Sequence, residues 1–158
     1  DAVFFADRLR ELLRMTFAPQ GVSGKPVYIN NCYLGLHGPI EVMSQEGLAA
    51  YRDGAEHCYG KLGRDYPQED AWLRHCLDDL EIERVDAFNI LYEDGWACNE
   101  RDSTRDTRPP CFSHQVSFHP YKTEDTYFHC YRQAASLKWA LPMYPVDEKP
   151  AGSNFHHA

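Results

Sequence analysis

Two adjacent carboxylates, Glu69 and Asp70, and a histidine followed by proline, His119-Pro120, are the residues whose types and settings suit proton transfer and metal ligation. A carboxylate within reach of a hydroxyl is a general base, and a carboxylate oxygen paired with an imidazole nitrogen is a donor set for Mn²⁺. A third carboxylate, Asp1, opens the sequence. Pro120 restricts the residue before it to extended backbone, which would hold the His119 imidazole at a strand end. Taken by themselves, Glu69 and Asp70 read first as charge at a helix start, where the dipole favours acids.

The chain has eight histidines. His37, His57, His75, His114 and His129 have no partner at a ligand spacing and read as surface or packing residues. His114 and His119 would fall on opposite faces of one strand and make a poor chelating pair. Trp72, Trp96 and Trp139 could line a sugar site by stacking, although core and interface roles are commoner for tryptophan. The glycines of Tyr33–Pro39, Gly35 and Gly38, would let backbone come close to a ligand.

These residues need elements to position them. Phe5, Leu9, Leu12 and Leu13 recur as the apolar stripe of a helix ending near Phe17, stopped by Ala18-Pro19-Gln20-Gly21. Pro26 to Cys32 and Ile40 to Met43 read as strands, and Ser44 as the N-cap of a helix carrying Leu48, Tyr51, Ala55, Cys58, Tyr59 and Leu62. Gly63 to Pro67 breaks that helix. A second helix starts at Glu69-Asp70, with Leu73, Cys76, Leu77 and Leu80 as its buried stripe. Val85 to Tyr92 is one strand-like stretch, Glu93 to Pro110 an exposed polar loop, and Gln115 to Phe118 a strand that delivers His119. A last helix runs from about Thr123 to Leu137, and the tail from Pro142 is proline-rich. The order, helix, strand, strand, helix, helix, strand, strand, helix, is a mixed α/β arrangement without repeats.

At 158 residues with 43% hydrophobic side chains, the chain is long enough for one domain with a real core. A net charge of −8, with arginine scattered among acids, disfavours a nucleic-acid partner. No apolar run approaches the ~18 residues needed to cross a bilayer. Dinucleotide and P-loop glycine motifs and the G-x-S-x-G nucleophile elbow are absent. The six cysteines include no C-x-x-C pair, so disulfides in a secretory lumen are expected rather than a zinc ribbon. Cys98 with Cys111 would close a short loop, and Cys58 with Cys76 would tie two helices.

In chain order these stretches resemble the family of fringe, the core-1 galactosyltransferase and related β1,3-galactosyl- and N-acetylglucosaminyltransferases. Asp1-Ala2-Val3-Phe4-Phe5 looks like the end of that family's D-x-D strand. Gly38-Pro39-Ile40-Glu41-Val42-Met43-Ser44 is similar to its glycine-rich strand, with Pro39, Ile40 and Glu41 where the family has glycine, alanine and glycine. Glu69-Asp70-Ala71-Trp72-Leu73-Arg74-His75-Cys76-Leu77 resembles its E-D-V-x-x-G-x-C-L helix, with Arg74 at the glycine position. Ser117-Phe118-His119-Pro120 looks like its F-H-P strand end. The match spans Asp1 to Leu137.

The resemblance implies an α/β, mixed-sheet GT-A-like fold, of which this disulfide-containing chain is the C-terminal portion. Residues 1–140 would supply the acceptor side and finish the metal site, 141–158 would be a Pro-rich tail, and the nucleotide-binding half would lie upstream. Asp1 and His119 would hold Mn²⁺ against the diphosphate of a UDP-sugar. Asp70 would take the proton of an acceptor hydroxyl on a glycan or glycoprotein, with inversion at the anomeric carbon. Glu69 is the second candidate for the base, or hydrogen-bonds the acceptor; Gly38 and Trp72 are the donor-binding candidates. Such enzymes work in the Golgi or endoplasmic reticulum lumen in glycoprotein biosynthesis, so contact with a membrane is expected only through an N-terminal anchor. Two other readings stay open: a secreted, disulfide-stapled glycan- or protein-binding domain without catalysis, and a metal-dependent hydrolase.

Overall fold

The computed structural model describes residues 1–17, 24–93 and 111–137. Helix and strand alternate irregularly around two small mixed sheets. Strand β1 (Val3–Phe4) leads into helix α1 (Ala6–Leu12), which continues as a π-helical turn to Phe17. Strand β2 (Val27–Asn30) is followed by β3 (Val42–Met43) and helix α2 (Gln45–Leu62). Helix α3 (Glu69–Asp79) precedes β4 (Glu83–Asp86) and β5 (Leu91–Glu93). Strand β6 (Ser117–His119) and helix α4 (Glu124–Ser136) complete the described fold.

One sheet has the order β3-β2-β4, with β2 antiparallel to β3 and parallel to β4. Every residue of β2 is buried, as expected of a central strand covered on both faces. The other has the order β1-β6-β5, with β6 antiparallel to β1 and parallel to β5, and Glu93 in register with His119. Leu12, Ile29, Ile40, Ile90, Leu91 and Val116 form one core cluster with members from both sheets and from α1. Fully burying a side chain of this size stabilises by roughly 1.5–3 kcal/mol.

Ser44 caps α2 and anchors it. Its hydroxyl accepts from Gly47 N at 2.9 Å and from Val27 N at 3.1 Å, and donates to the Lys25 carbonyl at 2.7 Å, so the helix start is fixed to the edge of β2. Gly63, at φ +56°, ends the helix in a conformation that glycine adopts without steric cost. Helices α2 and α3 are joined by the Cys58–Cys76 disulfide, as expected. Tyr28, Leu36, Leu73, Leu77 and Ile82 pack as a second cluster, and the Tyr28 hydroxyl donates to Asp78 Oδ1 at 2.6 Å.

Around β6 the packing depends on Arg8. Only 7% exposed, its guanidinium lies 4.2 Å from the Phe5 ring centroid and donates to the carbonyls of Ser113, Gln115 and Ala134. It therefore ties α1 to the segment before β6 and to α4. Val3, Cys111, Phe118, Cys130 and Ala134 form the cluster beneath. Thr123 caps α4 reciprocally with Thr126.

Three expectations are corrected. Cys111 is bonded to Cys130, with Cα atoms 5.2 Å apart, and so not to Cys98. The disulfide fastens the approach to β6 onto α4 instead of closing a surface loop. Val85 to Tyr92 is two strands belonging to different sheets, because the chain turns at Ala87–Ile90 after leaving β2's side. Glu93 is the last residue of β5 and 7% exposed, since two imidazoles close over it, whereas the polar composition after it suggested a loop. The rest of that expected loop, Cys98 and the Pro-rich tail at 141–158 fall outside the described residues. Cys32 is disulfide-bonded as well, and the described cysteines include no free thiol. These disulfides are consistent with a secreted or lumenal setting. Among the described residues no helix is long and apolar enough to cross a membrane.

Candidate functional site

The site is assembled from five pieces of backbone. Asp1 lies just before β1, and its carbonyl accepts from Tyr121 N at 2.7 Å, which pins this residue beside the exit of β6. His119 and Glu93 end the parallel neighbours β6 and β5. His37 and Gly38 sit on the loop between β2 and β3, and Glu69 and Asp70 begin α3.

The loop owes its shape to Asn31. This side chain is fully buried; its Nδ2 donates to the carbonyls of His37 (2.7 Å) and Ile40 (2.6 Å), and its Oδ1 accepts from His37 N at 2.8 Å. One amide thus satisfies three backbone groups that a buried loop would otherwise leave unpaired. Arg74 holds the loop from α3 by donating to the Leu34 carbonyl at 2.6 Å. It lies so close to Gly35, at φ +127°, that an added Cβ there would fall 2.0 Å from Nη1.

Side chains from these pieces form a continuous row. His119 Nε2 faces Asp1 Oδ1 at 3.4 Å, and its Nδ1 lies 2.9 Å from Glu93 Oε1. Glu93 also meets His37 Nε2, at 2.6 Å through Oε2 and 2.8 Å through Oε1. His37 Nδ1 is 3.2 Å from Asp70 Oδ2, which accepts from Gly38 N at 3.1 Å. Asp70 Oδ1 accepts from Ala71 N at 2.7 Å. A carboxylate offers about four lone-pair directions, so Asp70 keeps acceptor capacity beyond these contacts. It is also partly open, with its side chain 20% exposed.

A second carboxyl pair borders the row. The Glu41 carboxyl is pushed up to about 7 by partial desolvation, then by its hydrogen bond with Glu69 and by the negative charges of Glu69 and Asp70. A Cβ added to Gly38 would sit 3.6 Å from Asp70 Oδ2 and 3.7 Å from Glu69 Oε2, so both of these carboxylates border this glycine.

Of the residues singled out in the sequence, Asp1, His119, Asp70, Glu69 and Gly38 are brought to this one region. Trp72, in the first turn of α3, packs its ring on Tyr59 of α2, with centroids 4.7 Å apart. His37 and Glu93 are central and were not expected. Glu93 is 56 positions from His37 in the chain and 26 from His119, so no local spacing pointed to it. The one available signal was its place at the end of an apolar strand-like run.

His37, Glu93 and His119 each offer a ligand atom within 4.8 Å of the others. Asp1 Oδ1 and His119 Nε2 form a second oxygen and nitrogen pair, at a separation that two adjacent ligands of one divalent ion can span. A cation held by the first set would sit at the middle of the row, next to the His37–Asp70 contact, whereas one held by Asp1 and His119 would sit at one end with the Asp70 carboxylate at the other. Comparison with protein-family models, with curated proteins and with solved structures finds no match to this chain.

Proposed function

We propose that this chain forms the acceptor and metal side of an inverting, metal-dependent glycosyltransferase with a GT-A-like fold, moving a sugar from a UDP-sugar to a hydroxyl of a glycan or glycoprotein. The observation that carries the reading is the unbroken row Asp1–His119–Glu93–His37–Asp70. Residues chosen from distant parts of the sequence for two different chemical tasks meet in one line of contacts.

In this reading Asp1 and His119 hold Mn²⁺, the donor set of carboxylate oxygen and imidazole nitrogen suiting that ion. An ion held by these two residues would supply charge neutralisation for the departing diphosphate. Asp70 accepts the proton of the attacking hydroxyl. One base suffices, because the leaving group is stabilised by charge and needs no protonating carboxyl, in contrast to the paired carboxylates of glycoside hydrolases. Gly38 brings backbone close to Asp70 and Glu69 without a side chain to obstruct an acceptor. Glu69 hydrogen-bonds the acceptor or takes the base role. The disulfides agree with the Golgi or endoplasmic reticulum lumen as the place of action.

The second reading, a lumenal binding domain without catalysis, is favoured by Glu41. It puts a carboxyl where the resemblance has glycine, and that carboxyl draws on Glu69. The two readings separate in one assay. UDP release is measured for the full-length protein with a panel of UDP-sugars, candidate acceptors and Mn²⁺. Acceptor-dependent release supports the transferase, and glycan binding without release from any donor supports the binding domain.

A further inference from the structure

We propose that Glu93 is a positioning residue, which fixes the tautomer and aim of His119 so that Nε2 presents its lone pair toward Asp1. The inference rests on the transferase reading only for the use to which that nitrogen is put. An ionised carboxylate accepts hydrogen bonds and donates none, so the His119 nitrogen 2.9 Å from Glu93 Oε1 carries the proton. In the neutral imidazole the proton on Nδ1 leaves Nε2 bare. That nitrogen is the one facing Asp1 Oδ1. A carboxylate behind a ligating histidine sets ring orientation and raises ligand basicity in many metal sites.

The strands make Glu93 suited to this role. Glu93 and His119 are register partners in parallel strands, so their side chains leave the same face of the sheet at the same level. His37 closes the other side of Glu93, leaving its side chain 6% exposed. Water therefore competes little for the carboxylate, and the hydrogen bond to His119 is strengthened by the low local polarity. His37 is in turn held by Asn31 and meets Asp70, so the brace behind His119 extends to the loop and to α3.

The hydrogen-bond lengths also decide between the two possible cation positions. Glu93 already lies 2.6–2.9 Å from both imidazoles, as direct hydrogen bonds do. Asp1 Oδ1 and His119 Nε2, at 3.4 Å, are wider than a good hydrogen bond and match the spacing of two adjacent ligands of one ion. Glu93 accordingly acts from behind the ligand rather than as one.

The test begins with the metal-free 158-residue chain, labelled with ¹⁵N at histidine and observed through long-range proton–nitrogen couplings at pH 9. His119 of the wild-type chain should show one tautomer, protonated at Nδ1. In Glu93→Gln, whose amide can either accept or donate, the Nε2-protonated form should gain population. Mn²⁺ affinity, read by paramagnetic titration of the same samples, should fall about 10–100-fold. Glu93→Asp, which keeps the charge but withdraws it by one methylene, should recover less than half of that loss on a logarithmic scale. Wild-type His119 protonated at Nε2 would overturn the proposal without any variant having to fold. So would unchanged affinity in a folded Glu93→Gln chain, or affinity lost in Glu93→Gln and fully kept in Asp1→Asn, which would make Glu93 itself the ligand. A failure of glycosyl transfer would leave the tautomer measurement standing.

Discussion

Glu93 and His119 stand opposite each other at the ends of parallel strands, with Glu93 Oε1 2.9 Å from His119 Nδ1. The contact links the two ends of the site, whose imidazoles, His37 and His119, also meet edge to face with centroids 6.3 Å apart. On one side His119 leads to Asp1; on the other Glu93 leads through His37 to Asp70. A cation-binding end and a proton-accepting end are thereby held on one frame of side chains.

The cation end is tested by Asp1→Asn and His119→Ala. Each removes one proposed ligand atom, and each is expected to weaken Mn²⁺ binding to the full-length protein by at least about tenfold, the smaller effect usual even for residues behind a ligand. Calorimetric titration with MnCl₂ measures it. Equal affinity in wild type and both variants would remove the ion from this position.

Asn31→Ala should destabilise the fold through the loop. It leaves the His37 amide and the His37 and Ile40 carbonyls without their partner, and an unsatisfied buried group costs about 1–3 kcal/mol. A loss of about 2–4 kcal/mol in urea unfolding is expected, allowing for water reaching part of the opened loop. A loss below 0.5 kcal/mol would mean that the loop is held by other contacts.

How much of this was legible beforehand depends on the residue. Asp1, Asp70 and His119 were singled out through the resemblance, since taken alone the acid reads as helix-start charge and the histidine as a packing residue; what the structure adds is that the three lie along one row of contacts. Ser44, Gly63 and the α3 stripe were readable because capping and helical periodicity are local. Glu93 and His37 were not, because their meaning comes from strand pairing across the sequence, and a lone glutamate before a polar stretch looks like the start of a loop. For the same reason Val85–Tyr92 read as one strand: the switch between sheets at Ala87–Ile90 leaves no mark on the pattern of apolar residues. The partner of Cys111 was likewise set by how α4 packs, which cysteine spacing does not encode.

Glu41 gives the protein a pH-dependent stability. Its carboxyl titrates at about 7 when folded, against 4.5 for an ordinary glutamate. Between these values the folded state holds a proton that the unfolded state has lost, so stability falls as pH rises through the window and levels off above about 7. Glu41→Gln removes the penalty. The variant should have a higher urea midpoint than wild type at pH 8, with the difference shrinking through pH 6 and gone by pH 4. A gap independent of pH would show that the effect is one of packing.

The Cys58–Cys76 bridge joins α2 to α3, the helix that presents Glu69 and Asp70. Replacing both cysteines with alanine should cost about 2–4 kcal/mol, the usual contribution of a bridge closing a loop of this size. Thermal and urea unfolding measure the loss. No change in either would place the stability of the helix pair entirely in its apolar contacts.

Asp70→Asn in the full-length protein tests the central claim most directly. The amide keeps the shape of the side chain and an acceptor for Gly38 N but cannot take a proton. Acceptor-dependent UDP release should fall about 10²–10⁴-fold, the usual contribution of a positioned base, while UDP and Mn²⁺ affinities stay within about twofold of wild type. Turnover within a few-fold of wild type, with binding unchanged, would contradict the assignment of Asp70 as the base.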